Sequence, residues 1–196
     1  VRQVLETAVD EHARAGVDRL VYCAWARFGS PVPGFKSCDF EERIKDLSPG
    51  FDKLYEAGDD QLGILLERCR KHGMQFLVCL RMNDRHGQSK TAKVYLEHPE
   101  WHLEGIAGGF DYSQEGVRQH MLSFVKDVLD HYDVDGLEYD YMRMIHVFPL
   151  GTGPKNATFL TQFHHATRKL LDETGRRRGR KLVLGVRVPQ VLNQCL

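Results

Sequence analysis

The segment Gly136-Leu137-Glu138-Tyr139-Asp140-Tyr141-Met142-Arg143 holds the residues best suited to chemistry in this sequence. Side chains alternate along an extended strand, so Glu138 and Asp140 share one face, and Leu137, Tyr139 and Tyr141 share the other. Two carboxylates on an enclosed face are costly unless each is paired or used. Used, they are the general acid, base or nucleophile of a hydrolytic step. Paired, they need cations, and Arg81 and Arg187 stand at the ends of two other apolar runs. Cleavage of a glycosidic bond commonly takes two carboxyl groups, roughly 5–5.5 Å apart for retention and further for inversion. Neighbours on one strand are poorly placed to flank such a bond. The partner of Asp140 is therefore expected on a strand outside this stretch of sequence.

The elements that position these residues follow from periodicity. Val1, Val4, Leu5, Ala8 and His12 line one face of a helix over 1–15. Leu20 to Trp25 is an apolar run of strand length, and a loop rich in Gly and Pro follows from about Arg27 to Asp60. Gln61 to Lys71 reads as a second helix, with Leu62, Leu65, Leu66 and Cys69 on one face. Gln75 to Leu80 is the second strand, ending in Arg81-Met82-Asn83-Asp84. A long segment then runs to Tyr112, and Ser113 is the expected N-cap of the next helix. That helix carries the apolar stripe Val117, Met121, Phe124, Val125, Val128, Leu129 and Tyr132. Strand three spans Gly136 to Met142. Gly151-Thr152-Gly153-Pro154 reads as a loop, Phe159, Phe163, Ala166 and Leu170 mark a fourth helix, and Lys181 to Val188 is strand four, stopped by Pro189.

Strands separated by helices imply parallel pairing, and nearly continuous apolar strands imply that both faces are covered. Links from helix to strand are a few residues long, whereas the first two from strand to helix run to tens of residues. Long loops therefore gather at the C-terminal ends of the strands, the functional face of parallel α/β proteins. No G-x-G-x-x-G or P-loop follows any strand, which argues against a nucleotide-binding sheet. The fold expected is α/β of the parallel (β/α)8 TIM-barrel type. A complete barrel has eight strands and typically about 250 residues. Four βα units are legible here, so residues 1–196 are expected to form a single domain that is part of a barrel, with the remaining half of the barrel elsewhere in the full-length chain.

The sequence also resembles a known group. His98-Pro99-Glu100-Trp101, Phe110-Asp111-Tyr112-Ser113, Val117-Arg118 and the run from Tyr132 through Asp135-Gly136-Leu137-Glu138-Tyr139-Asp140 to Arg143 are similar, in order and spacing, to the bacterial glycosyl-hydrolase-like barrel proteins. Arg81-Met82-Asn83-Asp84 and Gly185-Val186-Arg187-Val188-Pro189 match the same style, so the resemblance extends from about Val17 to Pro189. It implies a TIM barrel that hydrolyses glycosidic bonds in a poly- or oligosaccharide. Carried over by position, it makes Asp140 the candidate catalytic acid or nucleophile, with Glu138 beside it. Arg81 and Asn83 are candidates to bind sugar hydroxyls or to steady Asp140. Trp101 is a candidate stacking platform, and Tyr141, Arg143 and Arg187 complete the substrate-binding set. The alternative is a carbohydrate-binding barrel domain without catalysis, and a third reading is a metal-assisted lyase or aldolase.

Bulk properties exclude other classes. Apolar residues make up 42%, charged residues 28%, and the formal net charge is zero. No global field therefore favours nucleic acid or an anionic membrane, and no apolar run approaches the roughly 20 residues of a membrane span. No cofactor motif and no metal-ligand spacing stands out, since His164 and His165 are adjacent and diverge on a helix. His86 and His98 fall in loops, where a solvated side chain is the expected state. The five cysteines include no C-x-x-C, so reduced, buried thiols are expected rather than a disulfide framework. Arg176-Arg177-Arg178-Gly179-Arg180-Lys181 is expected to be a solvated turn that complements the preceding helix C-terminus. The helical pattern is already running at Val1, so the N-terminus is expected to be cut, which leaves cytoplasmic and secreted locations both open.

Overall fold

The computed structural model describes residues 1–25, 53–54, 57–83, 93–106, 109–142 and 145–190. Helix α1 (Arg2–Arg14) leads to strand β1 (Arg19–Trp25), and α2 (Gln61–Lys71) to β2 (Gln75–Arg81). A short helix α3 (Lys93–Glu97) and a 3₁₀ turn (Pro99–Trp101) precede α4 (Glu115–His131) and β3 (Gly136–Asp140). Helix α5 (Gly153–Arg178) then leads to β4 (Val183–Arg187). The four strands form one sheet in the order β1-β2-β3-β4, and every pair is parallel. This is a partial barrel of four units, as the alternating pattern predicts.

Register fixes the two faces. Leu77, Cys79 and Arg81 of β2 lie beside Gly136, Glu138 and Asp140 of β3, which lie beside Val183, Gly185 and Arg187 of β4. These residues form the inner face. The outer face carries Phe76, Val78, Leu80, Leu137 and Tyr139, all fully buried under the helices. Leu62, Leu65, Leu66 and Cys69 of α2 cover it at one end, and Val117, Met121, Phe124, Val125, Val128 and Leu129 of α4 continue the layer. Phe163, Thr167 and Leu171 of α5 complete it. A fully buried side chain of this size contributes roughly 1.5–3 kcal/mol, so this layer dominates the stability of the sheet. The Tyr139 hydroxyl escapes an unsatisfied state by bonding the Thr167 hydroxyl at 2.6 Å.

Caps set the helix limits. Asp60 Oδ1 accepts the Gly63 N–H at 2.7 Å and starts α2. Gly179, in the left-handed region at φ 67°, ends α5. Several boundaries differ from the sequence expectation. Ser113 is not the N-cap of α4, which is Gln114, because the Ser113 N–H and hydroxyl both go to the Asp111 carboxylate at 2.8 Å. Gly153 and Pro154 open α5 rather than belonging to a loop, since proline suits the first helical turn, where its missing N–H would have no partner. Strands three and four are shorter than expected, ending at Asp140 and Arg187.

The basic run also differs. Arg176, Arg177 and Lys181 are exposed, as expected of a solvated turn, but Arg178 and Arg180 do not serve their own helix. Arg178 reaches across to the end of α4, donating to the carbonyls of Leu129, Tyr132 and Val134. Arg180 and Arg70 both grip the Asp133 carboxylate. Unpaired carbonyls at a helix C-terminus attract cations, and here the cation comes from the following helix.

Candidate active site

Both acids of β3 point to the inner face, as alternation requires. Their common partner is Arg187, at the end of the next strand. Its Nη2 donates to Glu138 Oε1 at 2.6 Å and its Nη1 to Asp140 Oδ2 at 3.4 Å. The second oxygen of Asp140 accepts the Met142 N–H at 2.8 Å, just past the strand end. One guanidinium and one backbone donor thus hold Asp140 in a single orientation. Exposure grades across the cluster: the Asp140 side chain is 4% exposed, Glu138 17% and Arg187 51%. Arg187 is therefore the lid of the cluster on its solvent side. Arg81 ends β2 in register with Asp140 and is half-buried.

Both acids share one guanidinium, so they sit side by side rather than across a gap. That geometry does not flank a scissile bond. Gly185 lies beside Glu138 across the β3–β4 pair, where an added Cβ would meet the Glu138 side chain at an ordinary contact distance of 3.4 Å.

The other sequence candidates divide. Asn83 lies past the end of β2, which stops at Arg81 before the chain turns. Its amide is consumed by backbone: Nδ2 donates to the carbonyls of Phe110 and His146 at 3.0 and 2.8 Å, and Oδ1 accepts the Phe110 N–H at 3.0 Å. Asn83 is buried and stitches three loops together at the strand ends. Tyr141 faces the helices instead of the acids. Its hydroxyl bonds His164 Nε2 on α5 at 2.8 Å, and burial pushes the phenol well above its ordinary range. Burial likewise lowers His164 below its usual value of 6.5, which favours the neutral ring that can accept that bond.

Trp101 is brought to α4 rather than to the acids. His98 stacks on it at 3.7 Å, Phe110 meets it edge-on, and a Cβ at Gly116 would fall 2.3 Å from the indole. Its ring is thus already engaged by protein. Arg143 and His86 lie outside the described residues, as does the side chain of Trp25.

Sequence reasoning gave no role to the residues that brace this face. The Tyr112 hydroxyl donates to the Met82 carbonyl at 2.7 Å, and its N–H to the Val147 carbonyl at 2.8 Å. Arg118 donates to the carbonyls of Tyr112 and Ser113, both at 2.7 Å. The Asp111-x-Ser113 spacing is a recognisable Asx turn and was the one available signal.

No protein-family model matches the sequence, and no curated relative does. Solved structures do match its fold. The galactosidase domain of an alpha-galactosidase-sucrose kinase superposes with a TM-score of 0.54 at 17% identity, covering 95% of this chain and 24% of that one. A maltogenic alpha-amylase from Thermotoga neapolitana gives 0.52 at 18% identity, over 94% and 41%. An alpha-L-fucosidase from Paenibacillus thiaminolyticus gives 0.53 at 12%, over 96% and 29%. The fold is glycosyl-hydrolase-like, and the chain spans between about a quarter and two fifths of the length of these proteins.

Proposed function

We propose that this chain is half of a (β/α)8 barrel that hydrolyses glycosidic bonds in an oligo- or polysaccharide, with Asp140 at the reacting centre. The observation that carries this reading is the position of Asp140: inward, at the C-terminal end of an interior strand, with its carboxylate oriented by Arg187 and the Met142 N–H. In barrel enzymes, catalytic side chains stand at strand ends on this face. The fold neighbours named above are supportive, since each is named for action on a glycoside.

Glu138 steadies Arg187 and through it Asp140. Arg187, being half exposed, is the group of this cluster that meets a sugar hydroxyl first, with Arg81 beside it. Asn83 serves by holding the loops rather than by touching substrate. The acid that completes the pair comes from a strand of the other half of the barrel, because Glu138 lies alongside Asp140 rather than opposite it. No cofactor is required by this chemistry.

One observation favours the second reading, a carbohydrate-binding domain without catalysis. Asp140 is nearly buried, and both its oxygens are engaged, as befits an acid that serves only to hold an arginine. One experiment separates the two. In the full-length protein, Asp140→Asn is expected to lower hydrolysis of a panel of aryl glycosides by roughly 10³-fold. Its unfolding midpoint should stay close to the parent. Retention of full activity on every hydrolysed glycoside would rule out the catalytic role.

A further inference from the structure

Level with Glu138 and one step below Asp140, the inner face carries two thiols that the hydrolytic reading does not use. Cys23 of β1 is in register with Cys79 of β2, and Cys79 with Glu138 of β3. The Cys79 and Cys23 thiols are hydrogen-bonded to each other. Both are reduced. Neighbouring strands run about 4.8 Å apart, inside the 4.4–6.8 Å range of Cα spacings that a disulfide spans. In-register residues on adjacent parallel strands also point to the same side of the sheet, which brings the two thiols next to each other.

The two cysteines differ in access. Cys79 is 3% exposed, whereas Cys23 is half-buried. The hydrogen bond to Cys23, burial, and the nearby Glu138 and Asp140 all push the Cys79 thiol upward. Cys23 is therefore the more accessible of the two thiols in this chain, and Cys79 is placed to meet Cys23. Cys69 is buried in the helical layer on the other side of the sheet and takes no part.

We propose that Cys23 and Cys79 are a reversible dithiol–disulfide couple, oxidised by exchange with a low-molecular-weight disulfide such as oxidised glutathione. The Cys23 thiolate attacks one sulfur of the reagent, the reagent S–S bond breaks, and one glutathione thiolate leaves. The Cys79 sulfur then attacks Cys23 in the mixed disulfide and expels the second glutathione. The two protons lost by the protein end on the two glutathione thiols. The protein is oxidised by two electrons and the reagent is reduced by two. This couple does not rest on the hydrolytic reading and stands or falls separately.

The test is thiol trapping in a glutathione redox series, followed by peptide mapping of the folded protein. Two alkylatable thiols should disappear together as the buffer becomes oxidising, with a cross-linked peptide joining Cys23 to Cys79, and dithiothreitol should restore both. In Cys79→Ser the reaction should stop at a glutathione adduct on Cys23. A chain carrying Cys38→Ser, Cys69→Ser and Cys195→Ser together should still form the bridge. The proposal is overturned if both thiols remain alkylatable in fully oxidised buffer, or if the mapped bridge in the parent chain joins any other pair. An adduct that forms on Cys79 and not on Cys23 would overturn the order of attack.

Discussion

Arg187 is the residue on which the acid cluster turns, because its guanidinium touches both Glu138 and Asp140. Removing it takes the guanidinium from a nearly buried carboxylate that keeps the Met142 N–H. The half-exposed guanidinium is partly screened by water, which limits the loss. Arg187→Met is expected to cost about 1 kcal/mol in urea unfolding, and Arg187→Lys should recover only part of it, since an ammonium cannot fork between two carboxylates. His164 sets a second residue-scale expectation. Its value in the folded chain lies below the ordinary 6.5 because of burial, with His165 adding to the effect. Between those two values the unfolded chain binds more protons than the folded one, so stability declines as pH falls below about 6.5. The fall in unfolding midpoint from pH 7.5 to 5.5 should flatten in His164→Gln, which keeps an acceptor for Tyr141. An unchanged slope would mean that His164 is charged in the fold.

Two contacts between elements hold the sheet and helices in register. A Cβ at Gly136 would lie 2.2 Å from the Val183 carbonyl oxygen, so only glycine lets β3 and β4 approach at that point. Gly136→Ala must push the strands apart, at a cost on the order of 3 kcal/mol. Both acids sit on β3, so the same change should also loosen their link to β4. Arg178 offers the second handle. Three backbone carbonyls at the end of α4 depend on it, and its side chain is 18% exposed. Arg178→Met should cost about 2 kcal/mol, with hydrogen exchange rising first in the last turn of α4. Equal protection in parent and variant would count against this cap.

For the molecule as a whole, the decisive feature is an open sheet. Among the described residues, β1 and β4 each have a single neighbouring strand. Exposed apolar side chains lie at both ends of the row of elements: Val4 is 71% exposed on α1, and Val186 and Val188 are 42% and 56% exposed on and just beyond β4. Unpaired edges and apolar borders are templates for association. The chain expressed by itself is expected to associate with rising concentration, and Val186→Lys with Val188→Lys should reduce this in light scattering. A monomer at the highest soluble concentration would show that the two edges are protected.

The residues by themselves determined the order of elements, the parallel sheet and the inward direction of Glu138 and Asp140. Each of these depends on local periodicity, and a period of two or of 3.6 is legible without knowing what lies across the core. Only the tertiary structure decided what the polar groups do. It gave Arg187 to both acids, Asn83 to three loops, Tyr141 to His164, Trp101 to α4 and Arg178 to the end of a helix that precedes it. Those pairings join residues far apart in the chain, and a polar side chain carries no periodic mark of the partner it will meet.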